Sequence, residues 1–267
     1  MNLFPENIST YGQDLDDLFY LICAISGFAF IVTLIVMIYP LIKYRYNKNR
    51  KSEYIKGTGK ELKWVWVALV LLALGDFYIL VVEHPTWVEI EETLPEEDNA
   101  FKVAISGSQW YWDITYPGRD GILYTSDDIY KMNELCVPVN NNVLMDLKAT
   151  DVVHSIFFPN IRLKQDVLPG RTISRWFKPI KEGEYDIACA EICGIAHSIM
   201  KGTLIVESED ENNIRMEKYI LIEEGKKVGA KLKIEMPIIQ MNEIIDSINT
   251  DFDIAIPDTV NDVLIEN

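Results

Sequence analysis

The sequence predicts a two-helix transmembrane hairpin followed by an all-β Greek-key sandwich, and three observations carry that expectation. Two long runs near the start, Leu18–Ile42 and Trp64–Val82, are almost free of charge. The charge is asymmetric about them: between Leu41 and Lys63 there are eight Lys/Arg and two acids, whereas from His84 onward 33 acids face 17 bases. Beyond residue 100, short segments rich in β-branched and aromatic residues recur with Gly and Pro between them, the signature of consecutive strands.

The first run holds 25 residues and the second 19, interrupted only by Asp76. About 20 apolar residues suffice for a helix to cross a bilayer. KYRYNKNRK between the runs marks the cytoplasmic side by the positive-inside rule. Residues 1–17, with Glu6, Asp14, Asp16 and Asp17, are therefore expected outside, as is everything after Glu83. The hairpin and its basic loop occupy residues 18–83, two passes through the lipid bilayer. Run length and flanking charge argue against two buried helices of a soluble protein. No basic segment precedes the first run and no small-residue cleavage site follows it, so a cleavable signal is not expected. Cys23 lacks the preceding small residues of a lipoprotein signal and is expected to act as an apolar side chain. An acid at the depth of Asp76 is costly; it is expected to be hydrated near the outer surface or to meet a partner subunit.

Residues 84–100, which include EIEETLPEEDN, read as an acidic linker. Residues 101–207 read as one compact β domain. FKVAISGSQWYWDITY alternates, and NNVLMDLKAT, HSIFFP, TISRWFKP, GEYDIACA and KGTLIVES follow, with PGRDG, PGR and KEGE between them. Such spacing predicts an antiparallel sandwich or barrel. The acidic extension 208–267 contains NIRMEKYILIEEGKKV, expected to be a short helix, while residues 234–267 are expected to be disordered or to dock on another subunit. The net charge of −16 argues against nucleic acid as a partner and for cationic ones.

The chemistry is concentrated in CAEICGIAHSIM, residues 189–200. Cys189, Cys193, His197 and Met200 are soft or borderline donors that select copper or zinc over magnesium and calcium. A disulfide across three residues is geometrically poor and leaves His197 and Met200 without a role. Structural zinc favours CxxC pairs and does not use methionine. Thiolate, imidazole and thioether together favour copper. The chain has three histidines. His84 sits at the membrane exit, so His154, in ATDVVHSIFFP, is the expected second imidazole. Two thiolates with one imidazole on each side can bridge two coppers, giving a relay in which little geometry changes on reduction.

This pattern, H…C-x-E-x-C-x₃-H-x₂-M, carried by His154, Cys189, Glu191, Cys193, His197 and Met200, resembles that of subunit II of the haem–copper respiratory oxidases. DVVHS, LPGR, CAEICG and SQWYW are also similar to family segments, over roughly residues 12–207. The resemblance implies a cupredoxin-like sandwich holding the binuclear CuA centre. Cys189 and Cys193 would bridge the coppers, His154 and His197 would each bind one, and Met200 would be a weak axial ligand. Glu191 would offer its backbone carbonyl to copper and its carboxylate to a magnesium or manganese ion shared with subunit I, a hard cation suited to oxygen. Trp110 would be the electron-entry residue beneath the docking site of cytochrome c. Glu61, heading ELKW, would lie at the cytoplasmic mouth of a proton channel. Arg171 would approach the haem propionates, with Asp151 pairing it or a neighbouring base.

Asp120, Asp127 and Asp128 are the candidates for attracting a basic cytochrome c; the same loop could instead bind calcium. Two departures from the family stand out: the second span lacks its usual prolines and carries Asp76, and no CxxCH occurs, so no haem is expected in this chain. The implied function is electron entry into a proton-pumping cytochrome c oxidase, in a bacterial rather than mitochondrial inner membrane, with the CuA domain on the periplasmic side. The alternatives are a CuA-bearing nitric oxide reductase subunit and a membrane-anchored copper storage or assembly protein.

Overall fold

A computed structural model of the chain describes residues 4–51, 54, 57, 59, 63–96 and 99–235. Glu61 and residues 236–267 lie outside the described residues. Two compact units emerge: one runs to Thr115 and resumes over Tyr130–Glu209, and the other joins Tyr116–Ile129 to the segment from Asp210 onward.

In the first unit, helix α1 covers Gly12–Lys43 and helix α2 covers Lys63–Trp87. Both are long and apolar enough to cross a membrane. Phe28, Ile35 and Leu41 on α1, and Trp64, Leu71 and Phe77 on α2, are exposed. Helices apolar all round suit a lipid surrounding. The helical path continues through a π turn at Val88–Glu92. Residues 84–92 are thus helical rather than linker. Pro85 has no N–H to give to the preceding turn, yet the chain recovers, because Thr93 N–H closes on Val88 O at 3.0 Å and Glu91 pairs with Arg175 at 2.6 Å.

Ten strands follow: β1 (Ala100–Ser108), β2 (Tyr111–Tyr116), β3 (Ile129–Met132), β4 (Glu134–Pro138), β5 (Asn142–Ala149), β6 (His154–Phe158), β7 (Leu163–Val167), β8 (Ile173–Phe177), β9 (Gly183–Cys189) and β10 (Lys201–Glu207). They form two five-stranded sheets, ordered β3-β2-β1-β5-β8 and β4-β10-β9-β6-β7. Alternation places Val143, Met145 and Leu147 of β5, and Leu204 and Val206 of β10, in the core. FKVAISGSQWYWDITY is not one strand but the β1–β2 hairpin: Ser108 pairs with Tyr111, leaving Gln109 and Trp110 as a two-residue turn. The sandwich is mixed rather than antiparallel, since β1 runs parallel to β5 and β4 parallel to β10. Side-chain alternation reports which face is buried and carries no information on strand direction.

Residues 4–11, before α1, pack on the sandwich. Ile8 and Tyr11 are fully buried. Ile8 N–H donates to Asn160 O at 2.9 Å, Ile180 N–H to Ile8 O at 2.8 Å, and Ser9 Oγ to Ile161 O at 2.8 Å. Ser9 bridges Pro179 in antiparallel fashion. Arg162 grips Asp16 through two nitrogens, at 2.7 and 2.9 Å, and Pro5 O at 2.7 Å. The segment is a strap across the sandwich.

In the second unit, helix α3 spans Glu209–Glu235, longer than the short helix expected. Arg119 forks to Glu217 (3.0 Å) and Glu224 (2.7 Å), two turns apart on one face, and Lys227 Nζ donates to Ser126 O at 2.6 Å.

Candidate metal centre

The ligand run lies between β9 and β10, adjacent antiparallel strands, and β6 pairs with β9 so that Ile156 faces Cys189. This register brings His154, at the start of β6, to the end of β9. His154 is fully buried. Its Nδ1 lies 4.0 Å from Cys189 Sγ, Cys189 Sγ lies 3.8 Å from Cys193 Sγ, and Cys193 Sγ lies 3.6 Å from His197 Nδ1. Met200 Sδ is 3.8 Å from Cys193 Sγ, and Glu191 O is 3.3 Å from Cys189 Sγ. Five of the six expected donors thus converge through side chains and Glu191 through its carbonyl. The Glu191 residue is otherwise exposed.

These gaps fit metal. A metal–nitrogen bond of about 2.0 Å and a metal–sulfur bond of about 2.3 Å span roughly 4.3 Å between donors. Both N···S gaps fall inside that span, and the sulfur pair joins them, so the cluster can hold metal. Cys189 and Cys193 are free thiols rather than a disulfide. Burial, and then the neighbouring Cys189, push the Cys193 thiol up to about 11, so metal uptake has to displace its proton. Among the described residues, His154, Cys189 and Cys193 form the one group of three or more His, Cys, Asp or Glu that can hold an ion.

His154 Nε2 contacts Asp151 Oδ1 at 2.8 Å, and Asp151 Oδ2 accepts from Gln109 N–H at 2.7 Å. A carboxylate on Nε2 fixes the tautomer with its lone pair on Nδ1, toward the sulfurs. Partial burial pulls the Asp151 carboxyl up, but bonds from His154, Gln109 N–H and Val152 N–H outweigh it and hold it below the usual carboxylate range. Asp151 therefore serves His154 rather than Arg171, which is exposed. Gly107 makes room for the imidazole: a Cβ there would stand 3.1 Å from the His154 ring and 3.1 Å from Trp112. Trp110 is 38% exposed at the hairpin turn. Gln109 Nε2 donates to Cys193 O at 2.7 Å. Gly194, at φ +130°, packs so closely that a Cβ would meet Gln109 Nε2 at 2.9 Å and Trp110 Nε1 at 3.1 Å. Ile192, Ile195 and Ile199, between the ligands, are exposed.

The acids of the Asp120–Asp128 loop are spent on its own turns. Asp120 Oδ1 accepts from Ile122 N–H at 2.8 Å, Asp127 Oδ1 from Thr125 Oγ1 at 2.5 Å, and Asp128 Oδ2 from Tyr124 N–H at 2.8 Å. Asp128 is only 3% exposed, which turns it away from any docking protein. The sequence does not reveal the roles of Gln109, Gly107 and Gly194, nor His154 as the partner of Asp151; SQWYW and DVVHS carry the signal without the bonds.

Fold and site together define a β-sandwich that follows two helices apolar enough to cross a membrane, with a cluster of His154, Cys189 and Cys193 that can hold a metal ion. Residues 101–209 match the family model for the cytochrome c oxidase subunit II periplasmic domain. An alternative cytochrome c oxidase subunit 2 of Bradyrhizobium diazoefficiens is 30% identical over 79% of this chain and 82% of its own length. The cytochrome c oxidase subunit 2 of Cereibacter sphaeroides is 28% identical over 72% of this chain and 71% of its own length. A solved periplasmic domain of cytochrome oxidase subunit II from Bradyrhizobium japonicum has a TM-score of 0.42 and 26% identity, covering 48% of this chain and 96% of that one. The chain belongs to the cytochrome c oxidase subunit II family.

Proposed function

We propose that this chain is the electron-entry subunit of a proton-pumping cytochrome c oxidase, taking electrons from cytochrome c at a binuclear CuA centre and passing them to haem in subunit I for reduction of oxygen to water. The observation that carries it is the unbroken chain of contacts His154 Nδ1–Cys189 Sγ–Cys193 Sγ–His197 Nδ1, at 4.0, 3.8 and 3.6 Å. Copper held by these residues would supply a one-electron couple.

The chain's residues do the remaining work. Cys189 and Cys193, after losing their protons, would hold the copper as thiolates, and His154, held by Asp151, would present Nδ1. Met200, buried beside Cys193, offers its thioether and excludes water. The carbonyl of Glu191 faces the sulfurs, and its exposed carboxylate supports a magnesium or manganese site shared with subunit I. Trp110, partly exposed and one residue from Gln109, suits electron entry. The exposed Ile192, Ile195 and Ile199 suit burial against a partner protein. Asp120 and Asp127 remain the candidates for steering a basic cytochrome c. Glu61 is proposed for the proton-channel mouth on its motif alone. Relatives from bacteria support a bacterial inner membrane, with the metal centre on the periplasmic side.

The full-length chain in detergent, saturated with copper, is expected to hold two ions and to show one electron spin shared by two copper nuclei. A single ion, or the spectrum of an isolated copper, refutes the proposal. Cys193→Ser should leave a mononuclear or empty site. In the assembled oxidase, Glu61→Gln should lower turnover; unchanged turnover refutes the channel role.

A further inference from the structure

We propose that Gln109 is the positioning residue of this metal centre, holding the bridging-cysteine loop and His154 at a fixed separation and tying both to Trp110; this rests on the CuA reading above. Gln109 sits in the β1–β2 turn of one sheet, whereas His154 and Cys189 belong to β6 and β9 of the other. From there it reaches both sources of ligand. Its side-chain Nε2 donates to Cys193 O at 2.7 Å, across 84 residues of sequence. Its backbone N–H donates to Asp151 Oδ2 at 2.7 Å, and Asp151 Oδ1 in turn meets His154 Nε2 at 2.8 Å. A single residue therefore links a bridging sulfur's backbone to a terminal imidazole.

The seat is tight. A Cβ on Gly194 would lie 2.9 Å from Gln109 Nε2 and 3.1 Å from Trp110 Nε1, so the ligand loop rests directly on the Gln109–Trp110 turn. The hairpin itself does not need either bond, since Ser108 and Tyr111 close it. Both bonds act instead on the separation between His154 and Cys193, on which the 3.6–4.0 Å donor gaps depend. They also provide two bonded routes from Trp110: through the Gln109 amide to Cys193, and through Asp151 to His154.

The test uses the full-length chain in detergent. Gln109→Leu removes the donor, and Gln109→Glu keeps the shape while turning a carboxylate oxygen toward the Cys193 carbonyl. Both should lower copper retention against a competing chelator by about 10–100-fold, the scale of outer-shell partners of a metal. Both should also alter the copper hyperfine pattern, while unfolding of the metal-free chain changes little. Wild-type retention with an unchanged spectrum in both variants overturns the proposal, as does lowered metal-free stability with the spectrum intact. If a variant fails to fold by circular dichroism, Gly194→Ala loads the same contact from the opposite side and should give the same spectral change; no change overturns the proposal. A wild-type chain that never holds paired copper refutes the parent function instead, so the two failures are distinguishable.

Discussion

At His154 the two ring nitrogens have separate duties, Nδ1 toward Cys189 and Nε2 toward Asp151. Because the ring is fully buried, removing the carboxylate takes away the acceptor that the fold supplies to its N–H. Asp151→Ala should therefore cost about 1–3 kcal/mol of stability, measured by denaturant unfolding of the metal-free chain, and should weaken copper retention. Equal stability would mean that another group takes the proton. Gly107→Ala is the complementary probe. Its Cβ would press on both His154 and Trp112, so overpacking of about 1–3 kcal/mol is expected. The ligands were legible in the sequence because five of the six lie within twelve residues, and sulfur, imidazole and thioether are rare together. Gln109 was not, because amides are common and its meaning here lies in bonds that cross 84 and 42 residues; Asp151 was legible as a pairing acid, but its partner is His154, three residues on.

At the level of elements, the strap before α1 is the feature with the most direct energetic consequence. Ile8→Ala empties a fully buried side chain and should destabilise by about 2–5 kcal/mol. Arg162→Ala leaves Asp16 without its bidentate partner, with side chains 11% and 15% exposed, and should cost about 3–5 kcal/mol, discounted somewhat for that exposure. Thermal unfolding of the full-length chain measures both; values within 0.5 kcal/mol of wild type, the range of ordinary surface changes, would show that the strap contributes nothing. The strands with strong alternation, β5 and β10 among them, were legible, as were both helices long and apolar enough to cross a membrane. The strap was not: NISTY has the composition of a loop, and its burial depends on a groove built from residues 159–180. The π turn after Pro85 escaped for a related reason, since acidic composition masked a segment held in place by Glu91 and Arg175. Parallel pairing of β1 with β5 is a property of topology, which alternation does not encode.

On the scale of the whole chain, the imbalance of 33 acids and 17 bases beyond His84 should govern encounter with a basic donor. The Debye length shrinks from roughly 30 Å at 0.01 M salt to about 8 Å at 0.15 M. The second-order rate of reduction by a basic cytochrome c should fall by about tenfold or more over that range. A flat profile would assign docking to the exposed isoleucines rather than to charge. That the net charge would be acidic was legible from composition; that Asp128 is turned inward was not, because its role is set by a turn with Tyr124. The strap also has a bearing on biosynthesis. Ser9 and its seat at Ile161 are 152 residues apart, and a ribosome adding about 5–20 residues per second needs roughly 10–30 s to make that stretch. Because the strap seats on the sandwich, the leading residues and the sandwich stand on the same side of whatever α1 and α2 cross. The two helices between them can therefore cross a membrane only as a pair, one out and one back.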